Sequence, residues 1–183
     1  LYRGAYVRLP FDLSQAKPWK IWESIALARI IASVQQGKTT PLVVGSSSLL
    51  LHGVQGWISN PNVELYQPQR RTSQLIPPCR CGTISVPAAL RVYRRTPPIT
   101  SERMQVSGLI TEHPYDALIR CAMHDDALQA FALGCSALHK WSGFSNFSQD
   151  ACRGRAEVIR KKLLSRLKRA EGHRGCARAR RIL

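Results

Sequence analysis

Apolar residues recur at two periods along this chain, and the change of period marks its elements. Trp19, Trp22, Ala26, Ile30 and Val34 stand three or four residues apart, the stripe of an amphipathic helix. Pro18 suits its first turn and Gly37 its stop. Residues 1–9 before it, and 41–44 after it, read as short extended segments. Ser46 or Ser47 is placed to cap a second helix carrying Leu49, Leu50 and Leu51 and ending at Gly53. Residues 62–66 alternate with period two, as a strand does, after a turn at Asn60 and Pro61. Residues 67–82 form a polar loop, and 83–86, 90–94 and 106–111 give three more strands. From His113 the period returns to that of helices. One covers 114–123. A second is capped by Asp126, with Gln129 three residues on, and runs to His139. A Ser, Phe and Asn loop follows. The last long helix spans 153–170, with Ala156, Ile159, Leu163, Leu167 and Ala170 on one side and charge elsewhere. Gly172 and Gly175 break the pattern before a final ARARRIL. The predicted class is α+β: a small, mostly antiparallel sheet packed with helices, then a basic helical C-terminal segment. The expected division is 1–10, a core over 11–150, and a basic tail or linker over 151–183.

Composition adds limits. Apolar residues make up 44% of 183, enough for a real core. No apolar run approaches the roughly 18 residues of a membrane span, and the best, 25–34, is interrupted by Arg29. The expectation is a protein that does not engage a membrane. Six cysteines at 79, 81, 121, 135, 152 and 176 match no secreted disulfide framework, and no leader is evident, so cytoplasmic thiols are expected. The sequence opens on Leu1, which reads as the inside of a longer gene product.

Charge changes the picture most. The net charge is +16, and residues 151–183 carry twelve of the 27 basic residues against Glu157 and Glu171. These twelve are Arg153, Arg155, Arg160, Lys161, Lys162, Arg166, Lys168, Arg169, Arg174, Arg178, Arg180 and Arg181. A polyanion fits such a tract, because neutralising phosphates releases their counterions. Arg70 and Arg71 offer a second patch. Arg94 and Arg95 point to opposite faces of a strand, so only one of them could join a given phosphate row.

Little else resembles a reaction centre. Eleven acids, none in an Asp/Glu-x-Lys pattern after a strand, leave no nuclease-type carboxylate cluster, so no catalytic residue is assigned. Cys79 and Cys81 form a lone Cys-x-Cys, where structural zinc draws on two paired knuckles, so no metal and no cofactor is assigned. His52 reads as a packed or capping residue. Ser46, Ser47 and Ser48 read as helix caps, since no nucleophile elbow surrounds them. Gly4, Gly45 and Gly53 make no phosphate loop. Asp125 and Asp126 read as caps. Trp19 and Trp22 belong to the core stripe.

An ordered series of segments resembles AbiEi-type antitoxins and transcriptional regulators. VVGSSSLLLHGV (43–54) is similar to that family's "LSHxSAALLHGL" helix, and RGAYV (3–7) to the strand that leaves its winged helix. NVELYQPQRR, LRVYRR, MQVSGLIT and HPYDALIRCAM follow in the family's order. AEGHRGCARARRIL resembles a linker that in many actinobacterial relatives leads into a very-short-patch-repair-like endonuclease domain. Two positions depart from the pattern: Ser46 stands where the family has His, and Arg120 where it has Asp. The resemblance implies a DNA-associated regulator with a possible toxin partner. It equally accommodates a non-catalytic DNA-targeting front half of such an endonuclease, or a toxin-neutralising protein-interaction domain. Residues 1–10 would be what is left of the winged-helix region. Its recognition helix lies outside this sequence.

Overall fold

A computed structural model describes residues 16–36 and 39–183. The strand expected over 1–9 and the helix stop at Gly37 fall outside the described residues. Helix α1 (Pro18–Gln35) begins at the proline, which lacks the N–H that a first turn leaves unpaired. Strand β1 (Leu42–Val43) leads into α2 (Gly45–Leu51), which closes at Gly53 in a left-handed conformation (φ 72°). Strands β2 (Val63–Tyr66), β3 (Gln74–Ile76), β4 (Cys79–Cys81), β5 (Ile84–Val86), β6 (Ala89–Tyr93), β7 (Arg103–Val106) and β8 (Leu109–Glu112) follow. The rest is helical: α3 (Pro114–His124), α4 (Ala127–Trp141), α5 (Gln149–Leu167) with a 3-10 turn (Lys168–Ala170), and α6 (Cys176–Ile182).

The architecture is α+β, with a six-stranded sheet in the order β3-β6-β2-β1-β8-β7 and a separate β4-β5 ribbon. Within the sheet, β1-β2, β3-β6 and β7-β8 are antiparallel, while β1-β8 and β2-β6 are parallel. The polar stretch 67–82, read as loop, holds β3 and β4. Both are three residues long, too short for alternation to show. The single strand read over 106–111 instead takes in the end of β7, a hairpin turn and most of β8. Ser107 (φ 50°) and Gly108 (φ 77°) carry the two positive φ angles that a tight hairpin turn needs.

Two main cores meet at α2. In the first, Ala26, Ile30 and Val34 of α1 pack against Val43, Val63, Leu65, Ile76 and Tyr93 of the sheet. In the second, Leu118, Ile119 and Ala122 of α3 pack with Leu133 and Ala137 of α4, with Ile159, Leu163 and Leu167 of α5, and with Cys176 and Ala179 of α6. The basic C-terminal segment is therefore docked into a core that it shares with α3 and α4. Trp19 and Trp22 depart from the expected stripe. Trp19 is 53% exposed and Trp22 half-buried, because the inward arc of α1 is centred on Ile21, Ile25, Ala26 and Ile30 instead.

The serines do not cap α2 with their side chains. The Gly45 N–H donates to Glu112 Oε1 (2.6 Å) and the Ser46 N–H to Glu64 Oε2 (3.0 Å), so two carboxylates meet the positive end of the helix. Ser47 and Ser48 face inward. The Ser48 hydroxyl donates to Glu112 O, and Ser47 Oγ accepts from the Glu64 N–H (2.9 Å), tying α2 to β8 and β2. A side chain at Gly45 would strike the Glu64 carboxylate, and its φ of 58° suits glycine.

Those carboxylates bring buried arginines with them. Arg120, the charge reversal noted in the sequence, is 3% exposed. It pairs with the fully buried Glu112 through Nε (3.0 and 3.1 Å) and Nη2 (3.1 Å). Its remaining N–H groups donate to the Thr96 and Pro97 carbonyls. Arg94 bridges Glu64 and Asp125, so the Asp125 side chain serves this bridge as well as standing at the end of α3. Arg29 is 1% exposed and donates to Asn60, to Pro77 O (3.2 Å) and to Pro87 O (2.9 Å), pinning three loops to α1.

Candidate nucleic-acid interface

Helix α5 and its 3-10 extension present the tail's charge in an order set by helical geometry. Cys152, Ile159, Leu163, Leu167 and Ala170 are buried on one arc. On the rest of the circumference the basic residues fall into rows spaced seven apart: Arg153 and Arg160; Lys161 and Lys168; Arg155, Lys162 and Arg169. Members of a row stand two turns apart, about 10 Å along the axis. Glycine and a 3-10 turn then redirect the chain. Gly175 (φ 93°) precedes α6, which adds Arg178, Arg180 and Arg181.

The twelve tail cations divide by what they already touch. Lys161, Lys162, Lys168, Arg174 and Arg181 are exposed and make no hydrogen bond or ion pair with a described residue. Arg153, Arg169 and Arg180 make loose solvent-facing pairs with Asp150 (3.6 Å), Glu102 (3.6 Å) and Glu171 (2.9 Å). Such pairs contribute little and exchange readily. Arg155 donates to the Ser142 and Gly143 carbonyls, which staples the 142–148 loop to α5. Arg160 donates to the Leu183 carbonyl (3.0 Å), folding the chain end back on α5, and also faces Glu157 (3.8 Å). Arg178 donates to Ala122 O (3.1 Å) on α3.

Arg166 is a case apart. It lies on the inward flank of α5, its side chain 14% exposed, and holds Asp116 (2.5 and 3.1 Å) and Glu102 (2.5 Å). Hydrogen bonds from Arg166 keep the Glu102 carboxyl below its ordinary range. The guanidinium itself is held further above its ordinary value by Asp116 and Glu102. Sequence density grouped Arg166 with its neighbours, but its charge is already matched.

The second expected patch also divides. Arg70 lies 5.2 Å from the Tyr93 ring centroid and donates to its hydroxyl (3.3 Å), while Arg71 is exposed.

Among the described residues, one group has the composition of a metal site: Glu64, Cys121 and Asp125, with ligand atoms within 4.8 Å of one another. The chemistry is unfavourable. Arg94 already supplies the cation to both carboxylates. Burial pushes the Glu64 carboxyl up and the Cys121 thiol well up, so the sulfur stays protonated. Cys79 and Cys81 sit half-buried on the β4-β5 ribbon with no second pair of ligands beside them among the described residues.

Sequence reasoning passed over a cavity of about 290 Å³, lined by Trp19, Trp22 and Trp57 at the N-terminal half of α1 and the loop after α2. Its signal was available: three tryptophans of the four in the chain, two of them assigned to the core by spacing alone. No described helix is long and apolar enough to cross a membrane. No protein-family model, curated protein or solved structure matches the chain.

Proposed function

We propose that this chain is a DNA-associated regulatory protein, similar in role to AbiEi-type regulators, in which α5, the turn after it and α6 grip backbone phosphates. One observation carries the reading: five cations on ordered, core-docked segments have no partner within the described residues. Helix docking fixes the backbone beneath them, so binding orders side chains rather than whole segments, a smaller entropic cost. Three more cations in loose surface pairs can exchange carboxylate for phosphate. Contacts of this kind position a protein on a duplex without reading bases. Sequence selection would then come from another element, and no residue here is assigned to it. Chemistry on the nucleic acid is not part of the reading, because the buried carboxylates Glu64, Glu112 and Asp116 are already paired with Arg94, Arg120 and Arg166.

A salt titration of binding to a duplex tests this. Five contacts give a slope of log affinity against log salt of about −4.5. Replacing Lys161, Lys162, Lys168, Arg174 and Arg181 together with Ala should remove most of that slope. Affinity that ignores salt, or a slope unchanged in the fivefold variant, contradicts the reading.

A further inference from the structure

The strongest unassigned feature is the tryptophan-lined cavity, and its charge runs against that of the rest of the molecule. The chain carries 27 Lys and Arg, yet none of those among the described residues lines this cavity. Among the described residues its one ionisable lining residue is Glu23, next to Trp22 on α1. Of the ten acids among the described residues, eight stand in ion pairs. Asp126 caps α4. Glu23 alone among them has neither a basic partner nor a capping role, and it sits at this cavity.

None of the three indoles is in ring contact with another described aromatic side chain, and Trp57 is 58% exposed. Lys20 rests its ammonium 5.7 Å from the Trp19 ring centroid, the same attraction made at the outer edge of the site. Leu50 and Val54 supply an apolar floor. A volume of about 290 Å³ matches the small end of ligand sites, which begin at about 300 Å³. Aromatic faces, one unpaired carboxylate and an apolar floor together suit a cation that carries its own apolar surface. A nucleotide suits them poorly, since its phosphate would meet Glu23 and no base.

We propose that this cavity binds a small organic cation, a methylated ammonium on an apolar body. The site is independent of the phosphate-binding tail, so either reading can fail alone.

The test is calorimetric titration with choline and with phenyltrimethylammonium at constant ionic strength. The comparison ligand is 3,3-dimethylbutanol, the uncharged isostere of choline. Saturable binding by a cation, with the alcohol at least about tenfold weaker, is the expected result. Glu23→Gln and Trp57→Ala should each weaken the cation by about fivefold, the equivalent of one such contact. Trp57 is a loop residue and the Glu23 side chain makes no bond to a described residue, so both variants should keep the wild-type Tm. Equal binding of the alcohol, no saturation by either cation, tighter binding of adenosine monophosphate, or cation affinity unchanged in both variants overturns the proposal.

Discussion

The sheet end of α2 and the outer face of α5 are both rich in charge, and they use it in opposite ways. At α2, Arg120 is enclosed with Glu112, the half-buried Arg94 bridges Glu64 and Asp125, and the α2 backbone N–H groups complete the set. On α5, Lys161 and Lys162 are exposed with no partner among the described residues. An arginine in the first region is a structural part whose removal strands a buried carboxylate. A lysine in the second is dispensable to the fold and available to a ligand. Partners and burial, not residue type, separate the two.

Substitutions can break or sharpen that contrast. Arg120→Ala should have the largest effect, about 3–5 kcal/mol of unfolding free energy, because Glu112 would remain buried without its cation. Chemical denaturation measures it. Arg166→Ala should cost about 2 kcal/mol through loss of its charged hydrogen bonds to Asp116, yet leave the salt slope of DNA binding unchanged. That would move Arg166 from the second region to the first.

A pH dependence should follow from His113. Its Nδ1 accepts the Tyr115 N–H and caps α3, which requires the neutral ring. Burial lowers its pKa, and Arg166 lowers it further. The unfolded chain therefore binds a proton more readily, near its ordinary value of about 6.5. Stability is complete above that value and is lost as pH falls through it toward the native pKa. His113→Asn keeps an acceptor at the cap and should flatten this part of the pH profile. Smallest of all, Lys161→Ala, Lys162→Ala and Lys168→Ala should each change unfolding free energy by less than about 0.5 kcal/mol. Their effect should appear in DNA affinity instead.

How much of this was legible in the sequence varies with element length. Long helices with a regular stripe, such as α5, showed both their extent and their buried face. The cap at Asp126 showed too, because its carboxylate bonds the Leu128 and Gln129 N–H groups locally. Strands β3 and β4 did not show, since three residues give no measurable period. Arg29 and Arg120 were read as interruptions or departures, because a buried arginine is recognisable only once its distant acceptors, such as Pro87 O and Glu112, are in place. The tail's charge density was plain, but density could not separate Arg166 from Lys162. That distinction depends on residues 50 and 64 positions away in the chain. The tryptophans misled for a related reason: spacing gives a face but not whether another element covers it.

Gly175 offers a way to ask whether shape or charge governs the tail. A methyl group at that position would run into the Met123 carbonyl, and its φ of 93° is strained for any L-residue. Gly175→Ala should therefore prise the last helix from its seat on α3 while every arginine and lysine stays in the chain. Net electrostatics would be constant and only the spatial template altered, so any change in ligand grip would report geometry alone.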